Sequence, residues 1–244
     1  MDNKKEIDNF DIFRNHLDFS CKTDRYVVCV LRRIKDIPKD ELNRLGSNEH
    51  QRMIWTRYID SLDYWDRKVE AIKELARNNN ARAYIYPQVR DNEQCLFGLA
   101  AKVIETIQKK NYSVKPEHLL RSAYSENHMS RDKKWVLDLD HKEMYGYRLG
   151  FVEDLVTRKL KEAGKTGTEW YKVPTPNGYH IITSPFNLME AQRECAMFYE
   201  GERDFPEQVP CGPGEYDTVH HKRIGWLHKD GMSLLYFPGS RQNG

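Results

Sequence analysis

The chain has 244 residues, and its 39 lysines and arginines against 37 aspartates and glutamates give a formal net charge of +2. This length is enough for one large domain or two small ones with a buried core. The nearly balanced charge excludes a protein that holds nucleic acid by bulk positive charge, so any such contact must come from a local patch. No stretch approaches the roughly 18 apolar residues of a membrane span, and the polar N-terminus leads into no secretory signal. We therefore expect no membrane partner.

The cysteines favour reduced thiols over a disulfide framework, because their number is odd and no two of them are spaced Cys-x-x-Cys. They are Cys21, Cys29, Cys95, Cys195 and Cys211. This usage predicts a cytoplasmic protein. A zinc knuckle built from Cys195, Cys211 and either His220 or His221 is an alternative, although its ligand spacing is irregular.

The first 130 residues carry both strand and helix patterns. β-branched, apolar runs indicate strands, and apolar residues three and four positions apart indicate amphipathic helices. Strands are expected over 25–31 and 81–86, the second closed by Pro87, and helices over 50–77 (one helix or a pair) and about 92–110. Together these elements predict an N-terminal mixed α/β module, residues 1–130.

Residues 131–244 show a more regular alternation of elements. Strands are expected over 134–139, 169–173 and 179–183, helices over 149–163 and 187–198, and a last pair of strands over 223–227 and 233–237 around a turn at 229–231. The order β-α-β-β-α-β is that of the split βαβ plan. The predicted fold class is therefore α+β, with a ferredoxin-like or RRM-like palm after the N-terminal module. In this plan the first and third strands are neighbours, and the last strand flanks the first.

Two acidic residues, Asp138 and Asp140, come at the end of the first palm strand. Because side chains alternate along a strand, residues two apart point to the same face. Two like charges beside an apolar core repel each other and resist desolvation, and a divalent cation relieves both costs. Paired carboxylates suit Mg²⁺ or Mn²⁺. The alternative is that Asp140 simply begins a solvated loop.

A histidine and a third acid complete the candidate site. His180 lies in the middle of the third palm strand, which the plan makes the neighbour of the Asp138 strand, so the two can face each other if the register allows. An imidazole there could contact a nucleotide phosphate or orient a water molecule. For the third acid, Asp230 follows the late strand, and Asp217 is the rival.

Basic residues near these strands are candidates for phosphate contacts. They are Lys172, Arg223, Lys229 and Arg82, together with the run 220–223 that contains Arg223. Each of them could equally be a solvated surface charge.

Three segments in order resemble the motifs of archaeo-eukaryotic primases and primase-polymerases, in particular their small phage and mobile-element members. They are Trp-Val-Leu-Asp-Leu-Asp (135–140), Asn-Gly-Tyr-His-Ile-Ile (177–182) and a late aspartate. The resemblance implies that Asp138, Asp140 and Asp230 (or Asp217) are catalytic ligands of two Mg²⁺ or Mn²⁺ ions. It also implies that His180 contacts the incoming nucleoside triphosphate. Gly178 stands where the second motif has serine, and Lys229 precedes Asp230 where a hydrophobe is expected.

The leading hypothesis is thus a metal-dependent nucleotidyltransferase that takes NTPs or dNTPs and a single-stranded DNA template. The chain has no Gly-x4-Gly-Lys-Ser/Thr loop, so unwinding would need a separate helicase or replication partner. One alternative is a metal-dependent nuclease or phosphodiesterase that uses the same acids with water as the nucleophile. Another is a catalytically degenerate nucleic-acid-binding module that stacks bases on Trp135, Trp170 or Tyr179.

Overall fold

The computed structural model describes residues 5–33, 37, 51–126, 132–140, 146–200 and 228–239. At 51–52, 140, 146–149, 196–200 and 228–230 it describes the backbone alone. The chain divides into two compact units, Met1–Lys133 with Met232–Gly244, and Lys134–Gly231. Among the described residues, no helix combines the length and the apolar character that a membrane crossing requires.

The elements of the described chain alternate between strands and helices. The strands are β1 (Ile7–Asp8), β2 (Asp24–Arg33), β3 (Gln51–Ile59), β4 (Arg82–Asp91), β5 (Trp135–Asp140), β6 (Trp170–Thr175), β7 (Gly178–Thr183), β8 (His228–Asp230) and β9 (Ser233–Phe237). The helices are α1 (Phe10–Arg14), α2 (Leu62–Asn78), α3 (Asn92–Gln108), α4 (Pro116–Ser125), α5 (Gly146–Glu162) and α6 (Leu188–Glu200). The fold is therefore α+β, as predicted.

The first unit contains a five-stranded sheet in the order β1-β9-β4-β2-β3, with antiparallel neighbours throughout. The predicted helix over 50–77 is wrong in its first part, because residues 51–59 form β3 against β2. Residues 54–59 are rich in β-branched and aromatic side chains, which favour a strand. The helix starts only after Ser61, whose hydroxyl accepts a hydrogen bond from the Tyr64 backbone N–H at 3.2 Å.

The predicted end of a strand at Pro87 is also wrong, since β4 continues to Asp91. A register shift explains how the strand tolerates this proline. Val27 of β2 pairs with Tyr86, whereas Arg25 pairs with Arg90, so the ladder is irregular around Pro87. Proline lacks the N–H that a regular ladder uses, and it is found in strands at such irregularities.

The second unit contains a four-stranded, antiparallel sheet in the order β6-β7-β5-β8. Its elements follow the predicted β-α-β-β-α-β order, with the first and third strands adjacent and the last strand beside the first. Helices α5 and α6 cover one face: Leu137 and Leu139 of β5 and Ile181 of β7 belong to the same buried cluster as the inner side chains of both helices. Gly164, at φ +72°, follows the end of α5, and the Asn187 side chain caps α6.

The last strands differ from the prediction. Residues 229–230 belong to β8 rather than to a turn, and 233–237 pair with β4 and β1 of the first unit rather than with 223–227. Residues 223–227 lie outside the described part of the chain. All five residues of β9 are buried, which suits a strand between two neighbours better than one arm of an exposed hairpin.

Candidate active site

The face of the second sheet away from α5 and α6 carries the candidate site. Alternation along the strands places Asp138 and Val136 of β5 on this face, with His180 and Ile182 of β7. Val136, Ile182 and Val173, the β6 neighbour of His180, are all buried. The two polar side chains are therefore set among apolar ones.

Asp138 and His180 are direct partners in the antiparallel ladder between β5 and β7. His180 Nε2 lies 3.4 Å from Asp138 Oδ1. The His180 side chain is 8% exposed and the Asp138 side chain 38% exposed. The imidazole is therefore held in place by the sheet and by its carboxylate neighbour, while the carboxylate still reaches solvent. The predicted meeting of these two residues is confirmed.

Asp140 is two positions beyond Asp138 on β5, and its Cα partner on β7 is Gly178. The Asp140 side chain lies outside the described ones. Gly178 pairs in turn with Thr175 at the end of β6. The Thr175 hydroxyl oxygen is buried and, in the described structure, has no hydrogen-bond partner. An unsatisfied buried hydroxyl is costly, so this one is available to a ligand or an ordered water.

His228 of β8 was missed by the sequence analysis. It is the Cα partner of Asp138 on the side opposite His180, so His180, Asp138 and His228 form one row across three strands. Asp230 is the partner of Val136, two register positions from Asp138 in the direction away from Asp140. The residues 228–230 are described by backbone alone. Because residues 229–231 were predicted to form a turn, the sequence analysis did not include β8, the strand that places His228 beside Asp138.

Of the predicted basic residues, the two whose side chains are described, Lys172 and Arg82, do not lie at this site. Lys172 lies on the helix-covered face, where its Nζ is 2.7 Å from Glu153 Oε1, so the structure does not bring it to His180. Lys229 is the register partner of Leu137, in the row next to that of Asp138. Arg82 belongs to the first unit, is buried, and stacks on the Phe237 ring at 4.7 Å. Arg223 lies outside the described residues, as does Asp217.

The three candidate stacking aromatics face α5 and α6. Trp135 packs edge-on against Phe186 with ring centroids 5.4 Å apart, and Trp170 Nε1 donates to Thr157 Oγ1 at 3.1 Å. Tyr179 packs against the same apolar cluster. RNA-recognition domains stack bases on an open sheet surface, so this packing removes the predicted platform.

The proposed zinc ligand Cys195 lies on the buried side of α6, within the apolar cluster, and burial raises the pKa of its thiol to about 12. Cys211, His220 and His221 lie outside the described residues. A zinc-bound cysteine is a thiolate, and an apolar core disfavours that charge. Cys195 is thus a core residue.

The described side chains include no group of three or more histidine, cysteine, aspartate or glutamate residues arranged to hold a metal ion. They do include a carboxylate with solvent access, an imidazole beside it and the Thr175 hydroxyl two register positions away. Oxygen donors with room for water are what Mg²⁺ and Mn²⁺ prefer. The donor chemistry thus fits a divalent cation, provided that Asp140 or a β8 residue supplies further ligands.

This site is interpreted from its geometry, because the comparisons with known proteins found no relative. The chain matches no protein-family model, and neither a curated protein nor a solved structure shows significant similarity to it.

Proposed function

We propose that the chain is a metal-dependent nucleotidyltransferase of the primase-polymerase type, acting on nucleic acid and nucleoside triphosphates. The observation that carries this proposal is the direct ladder pairing of Asp138 with His180, at 3.4 Å between Oδ1 and Nε2. These two residues come from separate motifs of the family that the sequence resembles. The two strands are far apart in the chain, so two unrelated surface residues would seldom become direct ladder partners.

The sheet order supports the same proposal. The order β6-β7-β5-β8 corresponds to the second, third, first and fourth strands of the unit, which is consistent with the proposed ferredoxin-like palm. Both helices pack on one face, and the Asp138 side chain lies on the other, beside His180. The template and nucleotide would reach this face at Asp138, whose side chain is 38% exposed. We infer that 134–231 is the catalytic unit.

Asp138 and Asp140 would hold Mg²⁺ or Mn²⁺ in this site. Divalent ions bound there would supply activation of a primer hydroxyl and stabilisation of the leaving pyrophosphate. The resemblance assigns the third ligand to Asp230 or Asp217. The register instead favours His228, since it is the β8 residue directly opposite Asp138, whereas Asp230 is two positions away.

His180 would donate from its imidazole to a phosphate oxygen of the incoming nucleotide. Its burial and its carboxylate neighbour limit the orientations of the ring, so little entropy is lost when a phosphate binds. Thr175 would add a second donor from the neighbouring strand. Its unpartnered hydroxyl is in the row of Gly178, the position at which the family motif carries serine.

Primer synthesis and extension test this proposal. The purified chain is incubated with single-stranded DNA, Mn²⁺ or Mg²⁺, and NTPs or dNTPs, and products are resolved on a denaturing gel. We expect activity in the wild type, none in the Asp138→Ala/Asp140→Ala double variant or with EDTA, and full activity in Lys172→Ala. Equal activity in wild type and double variant would reject the proposal.

The same assay separates the other two functions. Metal-dependent shortening of a labelled oligonucleotide without added nucleotides would identify a nuclease instead. Binding of nucleic acid that is indifferent to EDTA, with no product in any condition, would identify a binding module.

The third ligand is tested by comparing two single variants on β8. If the register assignment holds, His228→Ala lowers activity by about 100-fold or more, because a lost ligand weakens metal binding. Asp230→Ala then changes activity by less than about threefold, since the residue is not a ligand. The reverse pattern would restore Asp230 to the site.

A further inference from the structure

The last two described strands belong to different sheets. β8 (His228–Asp230) pairs with β5 in the second unit, and β9 (Ser233–Phe237) pairs with β4 and β1 in the first. Only Gly231 and Met232 separate the two strands. The chain therefore passes from one unit to the other within two residues, and the ladder position of each strand restricts that of the other.

β9 is held firmly in the first sheet. It has a neighbouring strand on each side, and all five of its residues are buried. Asn9, which follows β1, donates from its backbone N–H to the Leu235 carbonyl at 3.0 Å and from its side-chain amide to the Leu234 carbonyl at 2.9 Å. The Tyr236 hydroxyl donates to the Glu6 carboxylate. Ladder pairs, side-chain hydrogen bonds and burial thus all keep β9 in place.

β8 has much less to hold it in the second sheet. Its three residues pair with β5, and within the described part of the chain it has no second neighbour. Three residues make few ladder hydrogen bonds, which scarcely offset the conformational entropy lost when the strand is ordered. In the sequence, residues 201–227 separate β8 from α6, a far longer connection than the two residues that lead to β9. The effective concentration of a tethered segment falls as its connection lengthens, so the link to β9 is the stronger constraint.

We propose that the docking of β9 in the first unit holds β8, and with it His228, beside Asp138 in the second. While β9 is paired, the short link keeps β8 at a high effective concentration next to the edge of β5. Loss of the β9 pairing removes that constraint, so β8 leaves β5 and the row of His180, Asp138 and His228 loses one member. The first unit thereby controls whether the candidate site is complete. The inference rests on the proposed function only for the role of His228 as a metal ligand.

Lengthening the link between β8 and β9 separates this effect from the stability of either unit. The effective concentration of a tethered end falls with about the −3/2 power of the length of a flexible connection. An insertion of about 12 glycine and serine residues takes the link from two residues to about 14, so the effective concentration falls about 20-fold. The pairing of β8 with β5 should weaken by a similar factor, while β9 keeps all its partners.

Hydrogen–deuterium exchange of the full chain, read by mass spectrometry, measures this pairing. With the insertion between Gly231 and Met232, the amides of 228–230 should exchange about 10-fold or more faster than in the wild type, and those of β6, β7 and β9 should keep their rates. The matched control carries the same insertion between Tyr112 and Ser113, in the loop that joins α3 and α4. Tyr112 is 76% exposed, and an insertion at such a loop should leave the exchange of 228–230 unchanged.

A core substitution in β9 tests the same coupling from the first unit. Leu234 is 2% exposed and belongs to an apolar cluster of the first unit, so Leu234→Ala loosens the packing of β9. It should speed the exchange of 228–230 when the link has its natural length. It should have no further effect on 228–230 when the link is lengthened, because β8 is then already released. Circular dichroism verifies that each variant is folded.

Each comparison has a result that overturns the proposal. The proposal fails if the amides of 228–230 exchange without protection in the wild type, or if the two insertions have equal effects on them. It also fails if Leu234→Ala acts equally with the natural and the lengthened link. Exchange is measured without metal or nucleotide, so a lack of primer synthesis does not bear on it. Primer synthesis by a wild type whose β8 is insensitive to the insertion would leave the proposed function standing and remove only the role of β9.

Discussion

The two faces of the second sheet are used in opposite ways. On one face, Leu137, Leu139 and Ile181 pack against α5 and α6 in an apolar cluster. On the other, Asp138 and His180 come from the same strands at alternate positions and stand beside buried Val136 and Ile182. Neighbouring residues of β5 thus differ in role: Leu137 stabilises the fold, and Asp138 is the residue to which the proposed function assigns the chemistry.

This contrast implies that stability and activity can be changed separately by neighbouring substitutions. A sheet buried on its helical side tolerates a polar residue on its other side only when that residue has a partner or reaches water. Asp138 has both, since His180 is beside it and part of its side chain is exposed. The polar residues on this face therefore need not lower the stability of the apolar core, which lies on the other side of the same strands.

The largest expected effect is on activity, at Asp138. Asp138→Asn keeps the shape of the side chain but removes the charge that would hold a divalent cation, so nucleotidyl transfer should fall by about 1,000-fold or more. The free energy of unfolding should change by less than about 1 kcal/mol, because the side chain is partly exposed and neither removed nor enlarged. Primer extension and urea denaturation measure the two effects. A large loss of stability with retained activity per folded molecule would contradict the division of roles.

The complementary substitution is the adjacent residue. Leu137→Ala should lower the free energy of unfolding by about 2–5 kcal/mol, because Leu137 is fully buried against both helices and the shorter side chain leaves a cavity. Activity per folded molecule should stay within a few-fold of the wild type at a temperature where the variant is folded. Loss of activity as large as that of Asp138→Asn in a fully folded Leu137→Ala protein would mean that the two faces are not independent.

A smaller effect is expected on the helical side, where one buried cation has three acidic partners. Lys159 is 2% exposed, and its Nζ lies 2.7, 2.9 and 2.6 Å from carboxylate oxygens of Glu162, Glu190 and Glu194. Hydrogen bonds with Glu162 and Glu194 raise the pKa of Lys159. Lys159→Met should destabilise the unit by about 1–2 kcal/mol at pH 7, less than for a fully buried pair because two of the acids are half exposed.

The direction in which the free energy of unfolding changes with pH follows from Glu194. Hydrogen bonds from Arg158 and then Lys159 lower the pKa of Glu194 from its ordinary 4.5. That stabilisation is complete above pH 4.5 and is lost as the pH falls through the lower folded-state value. The wild type should therefore lose more stability than Lys159→Met on acidification, so the difference between the two free energies of unfolding should shrink as the pH falls below 4.5. Parallel curves over the whole range would show that Lys159 does not act through Glu194.

The sequence allowed the centre of this sheet to be predicted because several local signals agreed there. An apolar run ending in Asp138 and Asp140, an amphipathic helix and a strand around His180 are consistent with one topology, and the topology then makes their strands neighbours. The face of Lys172 could not be predicted in the same way. Moving a strand by one position exchanges its two faces, and nothing in the sequence sets the register of β6.

The other errors arose where distant chain segments decide local structure. Residues 54 and 58 continue the spacing of α2, but pairing with β2 makes them part of a strand. Similarly, 233–237 follows a Lys-Asp-Gly turn signal, yet β4 and β1 of the first unit are its partners. A pairing between distant segments produces no pattern within a short stretch of sequence. For that reason His228 was not recognised as the neighbour of Asp138.

The smallest expected effect is at Lys172, and it tests the separation of the faces most directly. Lys172 is 45% exposed and pairs with Glu153 of α5, on the side away from His180. Lys172→Ala should therefore leave primer extension and the Michaelis constant for nucleotide unchanged within about twofold, and should cost at most about 1 kcal/mol of stability. The matched substitution on the other face is Thr175→Val, which keeps the side-chain shape and should raise that Michaelis constant about 10-fold by removing a donor to phosphate. If Lys172→Ala raises the constant and Thr175→Val does not, the nucleotide binds on the helical side and the site has been placed on the wrong face of the sheet.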